Sequence, residues 1–237
     1  MTCARSSAIS LILALTASFT VHVAPAVAAL PKAPVPAAAT ADTVEATTLA
    51  TAAYEAGDLE AAERLFLDAA AAGDALAAYN AAVIRLNEER TTQTEQGALA
   101  LLQQSAQAGF SPAQHMLATL HDHGRSMPQS PSLALKWYQL AAEQGDAAAQ
   151  LAAATQYYLG RGTTRDYPEA ARWYDKAAQA GDAGAQYILA SMYEKGLGVA
   201  QDLDQALSWY AAAARQGDVV ADLKAREIVE LLAQQRR

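Results

Sequence analysis

From residue 58 onward, hydrophobic and polar positions alternate with a fixed beat. Ala62, Leu65, Phe66, Ala69 and Ala70 stand at offsets 0, 3, 4, 7 and 8. That spacing places them on one stripe of an α-helix. The same five positions return after 36 residues as Ala98, Leu101, Leu102, Ser105 and Ala106, and again from Ala134, Ala170 and Ala206. In the last three copies the second position is Trp137, Trp173 or Trp209, and the third is Tyr138, Tyr174 or Tyr210. Indoles in phase with alanines predict core packing, not a ladder for stacking sugars.

The breaks between stripes keep the same step. Gly73, Gly109, Gly145, Gly181 and Gly217 each lie three residues beyond a stripe, where glycine supplies the left-handed residue that closes a helix. Asp74, Asp146, Asp182 and Asp218 follow four of them, and aspartate caps the free N–H groups of a new helix. After Gly109, Ser111 is the expected cap and Pro112 suits the first turn. Each striped helix has its own start signal at Asp58, Thr94, Ser130, Asp166 or Asp202. Asp166 with Glu169, and Asp202 with Gln205, extend this to capping boxes. The spacing predicts a striped second helix over, for example, Tyr167 to Ala180.

A first helix precedes each striped one. Ala185, Leu189, Ala190 and Tyr193 match Ala149, Ala153, Ala154 and Tyr157, and also Ala113, Leu117, Ala118 and His121. Small residues there allow close helix contact. Gly160 and Gly162, like Gly196 and Gly198, turn the chain between the two helices. A period of this length predicts an all-α fold, a right-handed α-solenoid of stacked antiparallel helix pairs with a concave face. We divide it into five units, 44–74, 75–110, 111–146, 147–182 and 183–218, and a capping helix over 219–237 that ends in polar residues.

An Ala-x-x-x-Leu-Ala-x-x-Tyr helix, a Gly-x-Gly loop, and Asp-x-x-x-Ala-x-x-Trp-Tyr-x-x-Ala-Ala-x-x-Gly-Asp resemble the Sel1-like repeat, a relative of the tetratricopeptide repeat. The resemblance is strongest from Ala113 to Asp218. It weakens over Ala75 to Phe110, which lacks Trp and both loop glycines. The first unit, with its short "YEAGDLEAAERLF" link, is closer to an ordinary tetratricopeptide unit. The resemblance implies a module that presents a groove to another protein or to a peptide, with no cofactor.

The N-terminus carries a different pattern. Arg5 is followed by an apolar stretch from Ile9 to Val21 and then by Ala26-Val27-Ala28. This reads as an export signal over 1–28, removed by cleavage, and predicts a periplasmic or secreted protein with no membrane insertion afterwards. Cys3, the one cysteine, would leave with it, so the mature chain has no disulfide to rely on. Residues 29–43, rich in proline and alanine, read as a tether. The net charge of −8 argues against nucleic acid, whose phosphates call for a basic surface.

Candidate chemistry is sparse. His115, His121 and His123 are spaced six and two apart on one helix, so neither pair shares a face, and H-E-x-x-H is absent. No metal site is expected. The S-x-x-K, K-T-G and G-x-S-x-G signatures are missing, because Ser132–Lys136 and Ser191–Lys195 are each one residue too long. Groove contacts are expected where units differ while their packing columns stay fixed. Those positions are Tyr79, His115, Leu151 and Tyr187 in one column, and Asp122, Tyr158 and Glu194 in another. Tyr79 and Tyr187 are open to a second reading as rings packed between units. The favoured function is an exported, non-enzymatic scaffold that binds a protein in its groove. The alternative is a hydrolase acting on peptidoglycan or β-lactams.

Overall fold

The structure is a computed structural model that describes residues 41–87 and 92–235. The expected signal, 1–28, and residues 29–40 of the expected tether lie outside that range. Among the described residues there are eleven helices and no strand. They are α1 (Ala41–Glu55), α2 (Leu59–Ala71), α3 (Ala75–Asn87), α4 (Thr92–Gln107), α5 (Ser111–His123) and α6 (Pro131–Glu143). Then come α7 (Ala147–Leu159), α8 (Tyr167–Gln179), α9 (Ala183–Lys195), α10 (Leu203–Arg215) and α11 (Val219–Gln235). Each helix packs on the next in sequence, giving five helix pairs and an unpaired α11. Residues 41–43, expected in the tether, already belong to α1. That segment has no proline to stop a helix.

The stripe forms the core. Ala62, Ala98, Ala134, Ala170 and Ala206 expose nothing, and Phe66, Leu102, Tyr138, Tyr174 and Tyr210 are buried beside them. The tryptophan column behaves unevenly. Trp173 is fully buried, whereas Trp137 and Trp209 are half-buried. Their position lies at one edge of the stripe, so the burial depends on local cover. Trp173 has that cover: the Arg172 and Lys176 cations lie 4.5 and 4.3 Å from its ring, and its indole N–H donates to Glu169 Oε1 at 3.1 Å.

The Gly-Asp punctuation takes the expected form. The five ladder glycines have φ between 92° and 96°. Asp74, Asp146, Asp182 and Asp218 each accept from first-turn N–H groups of the following helix. Other start signals differ from expectation. Asp58, Asp166 and Asp202 cap as expected, but α4 begins at Thr92, which puts Thr94 inside the helix. Ser130 holds the cap position without capping, and its hydroxyl lies toward Ser132 Oγ at 3.4 Å. Phe110 replaces Ser111 at the cap of α5, and the Ser111 hydroxyl faces the Ala141 carbonyl at 3.5 Å. The two capping boxes are half-formed. The Asp166 and Asp202 N–H groups donate instead to the Tyr157 and Tyr193 carbonyls, each at 3.0 Å, fastening the loop to the helix before it. The Glu169 carboxylate is engaged by Arg172 and Trp173.

Two contacts set how units stack. Gly162 and Gly198, both at φ 73°, lie directly on backbone of the preceding unit, at Pro131–Ser132 and at Tyr167–Pro168. A Cβ at either position would collide with main chain. Glutamines make the second contact. Gln114, Gln150 and Gln186 are buried and donate to the Ala106, Ala142 and Ala178 carbonyls at the end of the previous second helix. Gln144 and Gln216, at the ends of α6 and α10, then donate to Gln114 Oε1 and Gln186 Oε1 at 2.7 and 2.9 Å. In the unit between them that position is Ala180, and Gln150 Oε1 is left without a partner.

Candidate partner-binding groove

The alanines that bring helices together leave a groove across the first helices of three consecutive units. Its volume is about 340 Å³. One wall is α5, through His115, Thr119, Asp122 and His123; the floor is α7, through Ala148, Leu151, Ala152 and Thr155. Gly184 and Ile188 of α9 form the far side, Tyr138 of α6 reaches in from behind, and Gln156 and Arg161 close one end. The floor is apolar and kept deep by small residues, and the polar groups gather along α5 and at Arg161.

Each polar group is held. His115 Nδ1 lies 3.1 Å from Asp146 Oδ2, which ties α5 to the first turn of α7, and the ring meets Tyr138 edge-on at 5.8 Å. Asp146 also accepts from the Ala149 N–H at 2.9 Å. Burial works against its charge, but the His115 and backbone hydrogen bonds outweigh it and hold the carboxyl below its ordinary value. Asp122 Oδ1 accepts from Gln156 Nε2 at 2.9 Å and from Arg161 Nη2 at 3.0 Å. Thr119 and Thr155 donate to the His115 and Leu151 carbonyls at 3.0 and 2.8 Å, one turn back. Their hydroxyls also lie against Tyr138 and Tyr174, at 3.3 and 3.1 Å. Burial pushes the Tyr138 phenol up to about 12, so the ring stays neutral at pH 7.

Of the residues the sequence nominates, the groove brings together His115, Leu151 and Asp122. The other four pack elsewhere. Tyr79 meets Phe110 edge-on at 5.3 Å and Tyr187 meets Tyr210 at 5.3 Å. Tyr158 lies between Tyr167 and Tyr174, at 5.2 and 6.3 Å. Glu194 accepts from the Tyr210 hydroxyl at 2.7 Å, with Lys224 at 4.0 Å. Sequence reasoning overlooked Thr119, Thr155 and Arg161. The threonines had a signal, since they recur at the 36-residue step one turn after His115 and Leu151. Arg161 had a weaker one: Arg125 stands at its position one unit earlier, but both sit in loops and Leu197 replaces it one unit later.

The three described histidines diverge. His115 faces Asp146, His123 Nδ1 lies 2.9 Å from the Thr119 carbonyl, and His121 Nδ1 is buried without a partner. Among the described residues, no three His, Cys, Asp or Glu side chains are placed to hold a metal ion. No described helix is long and apolar enough to cross a membrane.

Comparison with known families decides the class. The Sel1 repeat matches residues 75–110, 111–146, 147–182 and 183–218. The chain belongs to the Sel1 repeat family. Solved Sel1 relatives share the architecture. A Sel1 repeat protein from Oxalobacter formigenes is 27% identical with a TM-score of 0.61, over 77% of this chain and 76% of that one. The protein c5321, described as a protective antigen present in uropathogenic Escherichia coli strains and displaying an SLR fold, is 29% identical with a TM-score of 0.61. That match covers 67% of this chain but only 34% of c5321, so this chain spans about a third of that relative. No curated protein matches. Sel1 repeats as a family are generally non-catalytic modules that mediate protein–protein interaction.

Proposed function

We propose that this Sel1-repeat protein is an exported scaffold that captures a protein partner in the groove between α5, α7 and α9 and so assembles or regulates an envelope complex. The observation that carries the reading is the groove itself, an apolar floor bounded by fixed polar groups, with His115, Leu151 and Asp122 at positions that change between units. Its polar residues are joined in pairs that fix their geometry, and the Tyr138 phenol is far from the phenolate form a nucleophile would need. Export is supported by the Ile9–Val21 apolar stretch and the Ala26-Val27-Ala28 motif.

Crosslinking from native envelope tests the binding reading. A photoreactive residue at Leu151 should trap a specific protein, whereas one at the exposed Lys136 of α6 should not. Equal labelling at both positions would remove the groove from the account. N-terminal sequencing of the envelope protein should give a chain beginning at Ala29 or Leu30. Nitrocefin and wall-digestion assays on the purified chain should show no turnover, and turnover abolished by a single groove substitution would restore the hydrolase.

A further inference from the structure

We infer that the groove receives the C-terminal residue of an extended peptide, with its carboxylate at Arg161 and an apolar side chain on the floor. The inference rests on the binding role proposed above and narrows its partner.

Charge points to an anion. The chain as a whole carries −8, yet the solvent-facing charged group at the groove is the Arg161 guanidinium. Its side chain is 39% exposed. The nearby carboxylates are already engaged: Asp122 is 12% exposed and accepts from Gln156 and Arg161, and Asp146 is held by His115 and the start of α7. The Arg161 guanidinium places one Nη2 donor on Asp122 Oδ1 and makes no other hydrogen bond among the described residues. Its fork therefore retains donors for a second carboxylate, and the Asp122 contact limits where they lie.

Size and floor point to a chain terminus. A groove of 340 Å³ is near the lower limit for ligand pockets, and a helix about 10 Å across does not enter it. Within that space lie the cationic end, the apolar Leu151 and Ala148 of the floor, and Ile188 and Gly184 of the far side. Among the residues of a peptide, only the C-terminal one bears a carboxylate and an apolar side chain on the same Cα. An interior acidic residue sets its own side chain where the floor requires an apolar one.

The test uses the purified full-length mature chain and a fluorescein-labelled peptide ending in Ala-Leu with a free carboxylate. Fluorescence anisotropy should show saturable binding that weakens with salt. Amidating the terminus should weaken it about tenfold, the scale of one lost charged hydrogen bond. Arg161→Ala should weaken the free-acid peptide to a similar degree and leave the amidated peptide unchanged. Because Arg161→Ala disturbs Asp122, Ala148→Leu serves as a second variant: Ala148 is exposed, so the fold tolerates the change, while the filled floor should block both peptides. Equal binding of acid and amide, an amidated peptide with an interior Asp binding as well as the free acid, or no binding of the free acid, would each overturn the inference. None of these outcomes bears on the Leu151 crosslink, so the scaffold reading stands or falls separately.

Discussion

The two N-terminal helix pairs and the three that follow share one stripe and one boundary glycine, but they join their units by different chemistry. In 111–218 the joints recur: loop glycines rest on the previous unit, and buried glutamines reach back to helix-terminal carbonyls. In 44–110 the joint between the two pairs has its own chemistry: Gln104 donates to the Ala70 carbonyl at 2.8 Å, and Arg85 pairs with Glu63. The difference teaches that periodicity is enforced inside a helix pair, where one stripe must be covered. Between pairs, any side chain that satisfies a buried carbonyl will serve.

The largest test of that contrast compares two kinds of glycine. Gly198→Ala should destabilise the chain by about 3–5 kcal/mol, since it adds a main-chain collision to the left-handed cost. Gly181→Ala has φ 96° with no atom within 4 Å of the added methyl and should cost only about 1–2 kcal/mol. Urea unfolding measures both, and equal losses would mean the loop seat does not set the stacking. Next in size, Ala177→Leu places a large side chain at a fully buried position of α8 and should cost about 1–3 kcal/mol; a neutral result would show slack in that core.

A smaller effect is expected at Asp146. Its folded-state carboxyl lies below its ordinary value, so its contribution to stability is present above that value and lost as pH falls through the folded value. The wild-type chain should therefore lose stability on acidification below about pH 4. Asp146→Asn should remove that portion of the loss and cost about 1 kcal/mol at pH 7, when the charged bond to His115 goes. An unchanged acid profile would exclude Asp146 as its source. The smallest change has the opposite sign. Ala180 is an αR helix end, and the residues at its position in the adjoining units, Gln144 and Gln216, are near ψ 0° as well. Ala180→Gln should give Gln150 Oε1 its missing donor and stabilise by about 0.5–1.5 kcal/mol. A Gln150→Ala background should abolish the gain.

Most of the architecture was legible in the sequence because it rests on local rules. Helical phase put Phe66, Tyr174 and Tyr210 inside, and left-handed geometry put glycine at each boundary. Where a residue's fate depends on a neighbour, the sequence was less informative. Trp173 and Trp209 occupy one column, yet only the first is fully buried, with Arg172 and Lys176 over its ring. Thr94 and Ser130 match the cap column in type, but α4 begins earlier and the Ser130 hydroxyl lies toward Ser132 Oγ. In the groove, the variable columns pointed to His115, Leu151 and Asp122, yet could not separate them from Tyr187 or Glu194. Those two are engaged by Tyr210, 16 or more residues away in the chain. Arg161 is defined only by the distance it spans to Asp122, 39 residues earlier.

The seating of Gly162 and Gly198 on the preceding unit is a contact of main chain with main chain. Curvature at these joints is therefore largely indifferent to which side chains face the cleft. Mutation can alter the groove around Leu151 and Ile188 with little effect on the bend that frames it. A chain built this way can acquire new partners while its shape is inherited intact.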